Sequence, residues 1–393
     1  MKIQSLHNYN HTIYASYLGY ISQAIVNNFA PLLFLTFRSE LGLSLQSITL
    51  ITTVNFLVQL GVDLISAKYV DKIGYRASLV IAHVCAALGL VGMAVLPRVM
   101  DPYGGIMMSV VLYAIGGGII EVLVSPVVEA CPTEKKEAAM SLLHSFYCWG
   151  HVAVVLVSTA FFHFVGISHW GVMACLWAII PAFNAFYYAL VPLYPITAEG
   201  EHLSLGGLLK QRVFWLVIVM MVCAGASEHA VGQWVSAFAE SALQISKTVG
   251  DLLGVCAFAV MMGLSRAIYG KYSDRIPLKK MMLFSAMLCI LCYCLAAFTV
   301  SPVWGLLGCA VCGFSVGIFW PGTFSMAAVA LPGGGTAMYA FMALAGDLGC
   351  SSGPTVVGMV AEAFGGDLRR GIAVALVFPI VMLAGTAIMK YKK

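Results

Sequence analysis

Gly61-Val-Asp-Leu-Ile-Ser-Ala-Lys-Tyr-Val-Asp-Lys-Ile-Gly-Tyr-Arg76 is a short charged hinge between two long apolar runs. A second version follows in the other half of the chain, as Gly263-Leu-Ser-Arg-Ala-Ile-Tyr-Gly-Lys-Tyr-Ser-Asp-Arg-Ile-Pro277. Tyr69-Val-Asp-Lys-Ile73 aligns with Tyr272-Ser-Asp-Arg-Ile276 at an offset of 203 (272 − 69), close to half of the 393 residues. A motif repeated at half-length points to two structurally similar halves.

Composition sets the medium. The chain is 61% apolar and 10% charged, whereas soluble domains carry about 25% charged residues. Apolar runs of about 20 residues recur from end to end, the length needed to cross a bilayer as helix. They do not alternate, so a strand barrel is not expected. Met1 to Asn10 is polar and leads into an apolar run too long for a signal core, so no cleaved signal is expected. The 12 cysteines fall mostly singly in apolar runs, with Cys289, Cys292 and Cys294 the densest group. They read as small apolar residues, and neither a metal site nor a cofactor is expected.

The pattern predicts an all-α polytopic protein of twelve membrane helices: 11–37, 46–70, 77–97, 103–130, 137–164, 168–191, 213–239, 246–272, 279–300, 303–331, 335–363 and 370–390. The longest polar gap gives the expected organisation: residues 1–191 as one six-helix bundle, 192–212 as linker, and 213–393 as the second bundle. Basic residues fix the expected orientation. With the N-terminus cytoplasmic, sixteen lie inside: Lys2, Lys68, Lys72, Arg76, Lys135, Lys136, Lys210, Arg212, Arg266, Lys271, Arg275, Lys279, Lys280, Lys390, Lys392 and Lys393. Arg38, Arg98, Lys247, Arg369 and Arg370 fall outside. Both termini and the linker are therefore expected in the cytoplasm, and the setting is expected to be a bacterial cytoplasmic membrane.

The repeat recurs: Cys131-Pro132 matches Leu331-Pro332, and Ala139-Met140 matches Ala337-Met338. Two parallel repeats around a central site is a transporter plan. On these residues the chain resembles the major facilitator superfamily, whose signature loop joins helices 2 and 3. Asp63 and Asp71-Lys-Ile-Gly-Tyr-Arg76 match that loop, and the second hinge is a weaker copy. Within the superfamily the chain is similar to the fucose permease group of sugar–proton symporters. Three stretches carry that likeness: Glu121-Val-Leu-Val-Ser-Pro126, His144-Ser-Phe-Tyr-Cys-Trp-Gly150, and Gly313-Phe with Pro321-Gly-Thr-Phe-Ser325.

Ionisable residues at membrane depth are costly and are functional candidates by default. Glu121 shares one helical stripe with Gly117, Ser125 and Glu129. In the fucose permease group a Glu before a polar-Pro pair carries the coupled proton, and Glu121 stands at that place ahead of Ser125-Pro126. A purely structural tie to a neighbouring Arg, His or Tyr is the alternative. The fifth helix puts His144, Tyr147, Cys148 and His151 on one face. His144 is a further proton candidate and Tyr147 a solute contact, although a packed histidine bonded to a carbonyl explains the imidazole equally well.

The seventh helix carries Ser227-Glu-His-Ala-Val-Gly-Gln-Trp234. Gly225 and Gly232 suggest a bent or unwound segment there. His229, Gln233 and Trp234 suit a polyhydroxylated ligand, through hydrogen bonds to hydroxyls and an indole face against C–H bonds. Glu228 is a second proton candidate and Asp347, in the eleventh helix among small residues, a third. Each of these acids has a structural alternative as a local pair or cap. Tyr20, Gln23 and Asn27 lie at i, i+3 and i+7 of the first helix, with Asn28 beside them, and the second helix offers Asn55 and Gln59. They read as cavity-lining groups or as interhelical hydrogen bonds. Trp320, before Pro321, is a candidate ring surface for the solute.

The resemblance has one gap. The fucose permease has an Asp in its first helix that works with the fourth-helix Glu. Here that helix holds only Asn27 and Asn28. A second acid must come from Glu228 or Asp347, or else Glu121 acts alone or with His144. The hinges have a gating reading: in the superfamily this loop locks helix 2 to helix 11. Asp63, Asp71, Lys72, Gly74 and Arg76, with Asp274 and Arg275 in the second copy, are its candidates.

These readings favour secondary active transport of a small polar solute, a sugar or sugar derivative, by proton symport and alternating access. Sodium is the other coupling ion considered. A proton-coupled antiporter exporting drugs or metabolites is the alternative, and would favour an aromatic cavity and an acid in the first helix. A receptor lacks an attached signalling domain. No P-loop, nucleophile–base arrangement or nucleic-acid-binding pattern is seen, so an enzyme is not expected. The expected partners are the solute, protons and the bilayer, and a monomer is expected.

Overall fold

A computed structural model describes residues 8–43, 45–195, 203–235, 238–239, 254, 256–299 and 301–390. Among these residues every regular element is helical. In chain order they are α1 (Tyr9–Asn28), α2 (Phe34–Leu41), α3 (Leu45–Ile73), α4 (Tyr75–Val99), α5 (Pro102–Ala130), α6 (Lys136–Val165), α7 (Trp170–Leu190) and α8 (Leu205–Leu209). Then come α9 (Arg212–Gly232), α10 (Ala257–Tyr272), α11 (Leu278–Phe298), α12 (Pro302–Val316), α13 (Phe319–Ala330), α14 (Gly335–Ala363), α15 (Leu368–Ala375) and α16 (Val377–Ile388).

Each of the twelve expected spans has a helical counterpart among the described residues. Eight of them are long and apolar enough to cross a membrane by length and composition alone. The other four have visible reasons for falling short. The first is interrupted by a 3₁₀ turn at Ala30–Leu33 around Pro31. The second holds Asn55, Gln59 and Asp63, and the eleventh holds Asp347 among glycines and serines. The eighth is described from Ala257, and its expected start at 246–253 lies outside the described residues. The chain is a multi-pass membrane protein.

Two expected spans are broken. The tenth divides into α12 and α13 at Gly317–Ile318, and the twelfth into α15 and α16 at Leu376. Pro321 and Pro379 stand four residues after Gly317 and Ala375. Proline has no N–H to give the carbonyl one turn earlier, so each removes a helical hydrogen bond at the break. The seventh span corrects the expectation in the other direction: α9 is continuous through Gly225 and ends only at Gly232.

The described residues form two compact units, Met1–Pro132 with Trp149–Ile196, and Thr133–Cys148 with Thr197–Lys393. This differs from the expected halves in one segment, residues 133–148, which pack with the second unit. That segment is held there by Tyr269 OH donating to Glu137 (3.0 Å) and Ser141 Oγ donating to the Arg266 carbonyl (2.7 Å).

In the first unit α5 is the centre. Its Gly116-Gly117-Gly118 run lets three helices approach: a Cβ would sit 2.4 Å from the Ala82 carbonyl at Gly116, 3.0 Å from Gln23 at Gly117, and 2.9 Å from Val62 at Gly118. Without a hydrophobic drive between helices in lipid, such close approach is what dispersion packing rests on. At one end of the unit Phe37 packs edge-on against Trp170, centroids 5.4 Å apart, and Trp170 Nε1 donates to Glu40 (3.0 Å). The opening hinge is a turn set by Gly74, with φ 90° and ψ 141°. Tyr75 OH donates to Asp71 (2.6 Å), and Arg76 Nη1 donates to the carbonyls of Tyr188 (2.8 Å) and Ala189 (2.9 Å). These are end carbonyls of α7 that no further helical turn can satisfy.

In the second unit α9 and α14 meet through glycine. A Cβ on Gly225 would lie 2.2 Å from the Gly346 carbonyl, and one on Gly349 would lie 2.1 Å from that of Val222. Gly225 is therefore a close-packing position rather than a bend. Gly313 of α12 packs against α10 in the same way, with a Cβ 2.1 Å from the Phe258 carbonyl.

Candidate functional site

The first unit gathers five predicted polar residues into one chain of hydrogen bonds. Gln23 Nε2 donates to Glu121 Oε2 (3.0 Å) and to Gln59 Oε1 (3.2 Å). Gln59 Nε2 donates to Asn27 Oδ1 (2.8 Å), which also accepts from Asn55 Nδ2 (3.3 Å). One turn along the same seam, Tyr20 and Ser125 hydroxyls lie 2.8 Å apart. The helical spacing accounts for the match. Gly117, Glu121 and Ser125 form the i, i+4 stripe of α5, and Tyr20, Gln23 and Asn27 form the facing stripe of α1. Gly117 brings the two together.

The network leaves acceptors over. Gln23 Oε1 and Asn55 Oδ1 are buried with no hydrogen-bond partner among the described residues. Both side chains are nearly fully enclosed, at 2% and 5% exposure. A buried acceptor without a donor costs about 1–3 kcal/mol. A ligand hydroxyl would remove that cost. Asn28, predicted alongside, instead donates to the Ala24 carbonyl one turn back on its own helix (2.8 Å).

The second unit contains a buried ion pair that helical spacing alone did not assign. Arg266 of α10 is 3% exposed, and its Nη2 lies 3.4 Å from Glu228 Oε2 on α9. Its Nε donates to the Gly317 carbonyl (2.8 Å), the one released by Pro321. Its Nη1 donates to the His144 carbonyl (3.1 Å) and to Cys148 Sγ (2.9 Å) on α6. Arg266 is thus no topology marker, as its inclusion among the cytoplasmic basic residues had it. Its position inside the expected span 246–272, rather than in a loop, is the signal that could have found it.

Beside this pair lies an aromatic group. The His144 ring is 5.7 Å from that of Phe324, which stacks on Tyr339 at 5.5 Å and meets Trp320 at 6.3 Å. Trp320 is buried over Gly346, where a Cβ would lie 2.3 Å from the ring. Asp347 follows directly and is half-buried. Trp234 donates its indole N–H to the Pro354 carbonyl (2.9 Å) and covers Gly358, so its ring is engaged with α14. Gln233 is exposed at the end of α9. His229 Nδ1 is buried without a partner among the described residues. Tyr147 is half-buried.

The gating candidates divide. Asp63 is 1% exposed within α3, while Asp71, Lys72 and Arg76 are exposed around the Gly74 turn. Asp274 is engaged by Lys135 within the second unit, and Arg275 is exposed. Among the described residues no group of three or more His, Cys, Asp or Glu side chains has metal-binding geometry.

Comparison with known proteins adds family and fold. The profile of the Major Facilitator Superfamily matches residues 16–354. Membrane protein MosC of Rhizobium meliloti is 23% identical over 257 residues, a match spanning 65% of this chain and 62% of that protein's length. The fucose:proton symporter FucP of E. coli superposes with a TM-score of 0.81 at 14% identity, covering 98% of this chain and 99% of that one. The proton:xylose symporter XylE, solved with 6-bromo-6-deoxy-D-glucose bound, superposes with a TM-score of 0.80 at 12% identity, covering 99% and 96%. At these identities the likeness is one of fold.

Proposed function

Because the chain belongs to the Major Facilitator Superfamily, a family of membrane transporters rather than enzymes, we propose that it carries a sugar or sugar derivative across the cytoplasmic membrane by proton symport. The observation that carries this reading is the Glu121–Gln23–Gln59–Asn27–Asn55 network with its two unpartnered acceptors. Amides and a carboxylate in one enclosed cluster can exchange hydrogen bonds with several hydroxyls of one solute. A drug-binding surface would need far fewer such groups. Two solved proteins of this fold, a fucose:proton symporter and a proton:xylose symporter, support the same choice.

Glu121 is the proton carrier in this scheme. Protonation removes its charge from the network and changes what Gln23 can donate to, which couples the proton to the solute groups on the same amides. Glu228, Asp347 and His144 are secondary proton candidates. His229, Gln233, Trp234, Trp320, Tyr147 and Asn28 are further solute contacts. The Gly61–Arg76 hinge, with Asp63, Asp71 and Lys72, and its copy at Asp274 and Arg275 serve as gating elements. The transporter works as a monomer with both termini in the cytoplasm.

The test is uptake into proteoliposomes under an imposed pH gradient across a panel of sugars. Glu121→Gln is expected to abolish gradient-driven accumulation and to retain counterflow exchange. Normal accumulation by that variant would remove Glu121 from the mechanism. Uptake that follows a sodium gradient and ignores pH would replace the coupling ion. Efflux of drugs without any sugar uptake would replace symport by the antiporter reading.

A further inference from the structure

Arg76 is exposed but fixed in place: its Nη1 holds the Tyr188 and Ala189 carbonyls at the end of α7 (2.8 and 2.9 Å). Both bonds use that one nitrogen, which leaves the Nε and Nη2 edge of the fork for another acceptor. The guanidinium lines an open groove of about 910 Å³ between the start of α4 and the end of α7. Ala77, Val80 and Ile81 of α4, with Leu193 and Tyr194 after α7, form other parts of its wall. Among the described residues no acidic side chain lines the groove. Asp71 and Lys72 lie outside it on the preceding turn, both exposed, and Asp71 accepts from Tyr75 (2.6 Å). α4 starts from Gly74, which offers no capping side chain, so the positive end of the helix adds to the charge there.

The groove continues as an apolar track. α4 and α7 pack antiparallel: Asn184 donates to His83 (2.8 Å), and at the far end a Cβ on Gly171 would lie 3.0 Å from Arg98 Nη2. Leading away from Ala77, α4 exposes Ile81, Val84, Leu88, Val91 and Val95 in steps of three and four residues, which is one stripe of the helix. Its partner α7 exposes Ile179, Phe183 and Phe186. One fixed cation at the head of a two-helix apolar face matches a phosphate carried on two acyl chains. We propose that this groove binds an anionic phospholipid, with its phosphate on Arg76 and its chains along α4 and α7. The phosphate oxygens accept from the free edge of the guanidinium fork. A zwitterionic headgroup brings an ammonium as well, and the groove offers it no carboxylate among the described residues, so phosphatidylglycerol fits better than phosphatidylethanolamine. A soluble phosphate would leave the apolar track bare. The bound lipid braces the end of α7 against the start of α4, beside the Gly74 turn.

The experiment is native mass spectrometry of purified full-length protein, stripped of lipid and titrated with phosphatidylglycerol, reading the dissociation constant of the first lipid bound. Arg76→Gln is expected to weaken that binding about tenfold, the effect of losing a charged hydrogen-bond donor. Ala77→Trp fills the groove and leaves Arg76 in place. It is expected to weaken binding to a similar degree, and it carries the test alone if Arg76→Gln does not fold. Lys72→Gln, at the same end of the helices but outside the groove, is expected to match the native protein. Phosphatidylethanolamine is expected to bind more weakly than phosphatidylglycerol. Native affinity in Ala77→Trp would overturn the proposal, as would native affinity in a folded Arg76→Gln. An equal loss in Lys72→Gln would overturn it in favour of diffuse surface charge, and equal affinity for the two lipids in favour of apolar solvation alone. Displacement of the lipid by an equal concentration of glycerol phosphate would reduce the groove to a site for a soluble ion and overturn it too. No solute or proton gradient enters the assay, so its outcome is separate from that of sugar uptake.

Discussion

Gln23 gives both protons of its amide nitrogen away, one to Glu121 at 3.0 Å and one to Gln59 at 3.2 Å, and keeps a buried oxygen without a donor among the described residues. One side chain therefore senses the carboxylate and offers an acceptor to a ligand. Gln23→Leu keeps the bulk and removes both abilities. It is expected to raise the half-saturation concentration for solute exchange by about tenfold, the effect of about 1.4 kcal/mol in a buried hydrogen bond. Counterflow kinetics measure it. An unchanged value would take Gln23 out of the solute site.

His83 shows what a membrane-depth histidine looks like when it serves structure. Its Nδ1 donates to the Leu79 carbonyl (2.7 Å), and Asn184 Nδ2 donates to its Nε2 (2.8 Å), so both ring nitrogens are used. His83→Leu removes the acceptor of one Asn184 amide N–H, the other staying with the Ala15 carbonyl (2.9 Å), and is expected to cost about 1–3 kcal/mol of stability. Transport per folded molecule should be unchanged. Thermal unfolding and uptake normalised to folded protein separate the two.

Gly74 and Gly61 flank one hinge and should respond differently. Gly74 sits at φ 90°, where a side chain is strained; Gly61 is helical, with nothing within 4 Å of where a Cβ would stand. Gly74→Ala is expected to destabilise by about 1–3 kcal/mol, and Gly61→Ala to shift stability by less than about 1 kcal/mol. Equal melting temperatures for the two variants would contradict a turn set by Gly74.

Gly346 lies under Trp320, with 2.3 Å between a Cβ and the ring. Gly346→Ala should lower the melting temperature, at an overpacking cost of about 1–3 kcal/mol. Adding Trp320→Leu should recover most of the loss, because the atom in the way is gone. A double variant no more stable than Gly346→Ala alone would place the strain elsewhere in α14.

The first-unit network was readable because helical spacing is enough to find it. Gly117, Glu121 and Ser125 on one helix, and Tyr20, Gln23 and Asn27 on another, are stripes that need only a neighbour. Which stripe faces which is a packing fact, fixed by the Gly116–Gly118 run. Arg266 was hidden by arithmetic: a tally of Lys and Arg treats a buried cation and a loop cation alike. The break at Gly317 was hidden for a different reason. Pro97, Pro126, Pro181 and Pro354 all sit inside unbroken helices. A proline marks a lost hydrogen bond, but where the helix parts depends on a donor arriving from elsewhere, and here that donor is on α10.

The fate of residues 133–148 bears on how this polypeptide can be taken apart. A gene cut within the linker would encode two fragments that match the sequence repeat but not the packing. The C-terminal fragment would carry Arg266, Tyr269 and Asp274 without His144, Glu137 and Lys135, their partners from the other piece. It is expected to be degraded when made alone and to persist when both fragments are made in the same cell. The midpoint marked by the sequence repeat and the boundary of the packed units are different places in the chain.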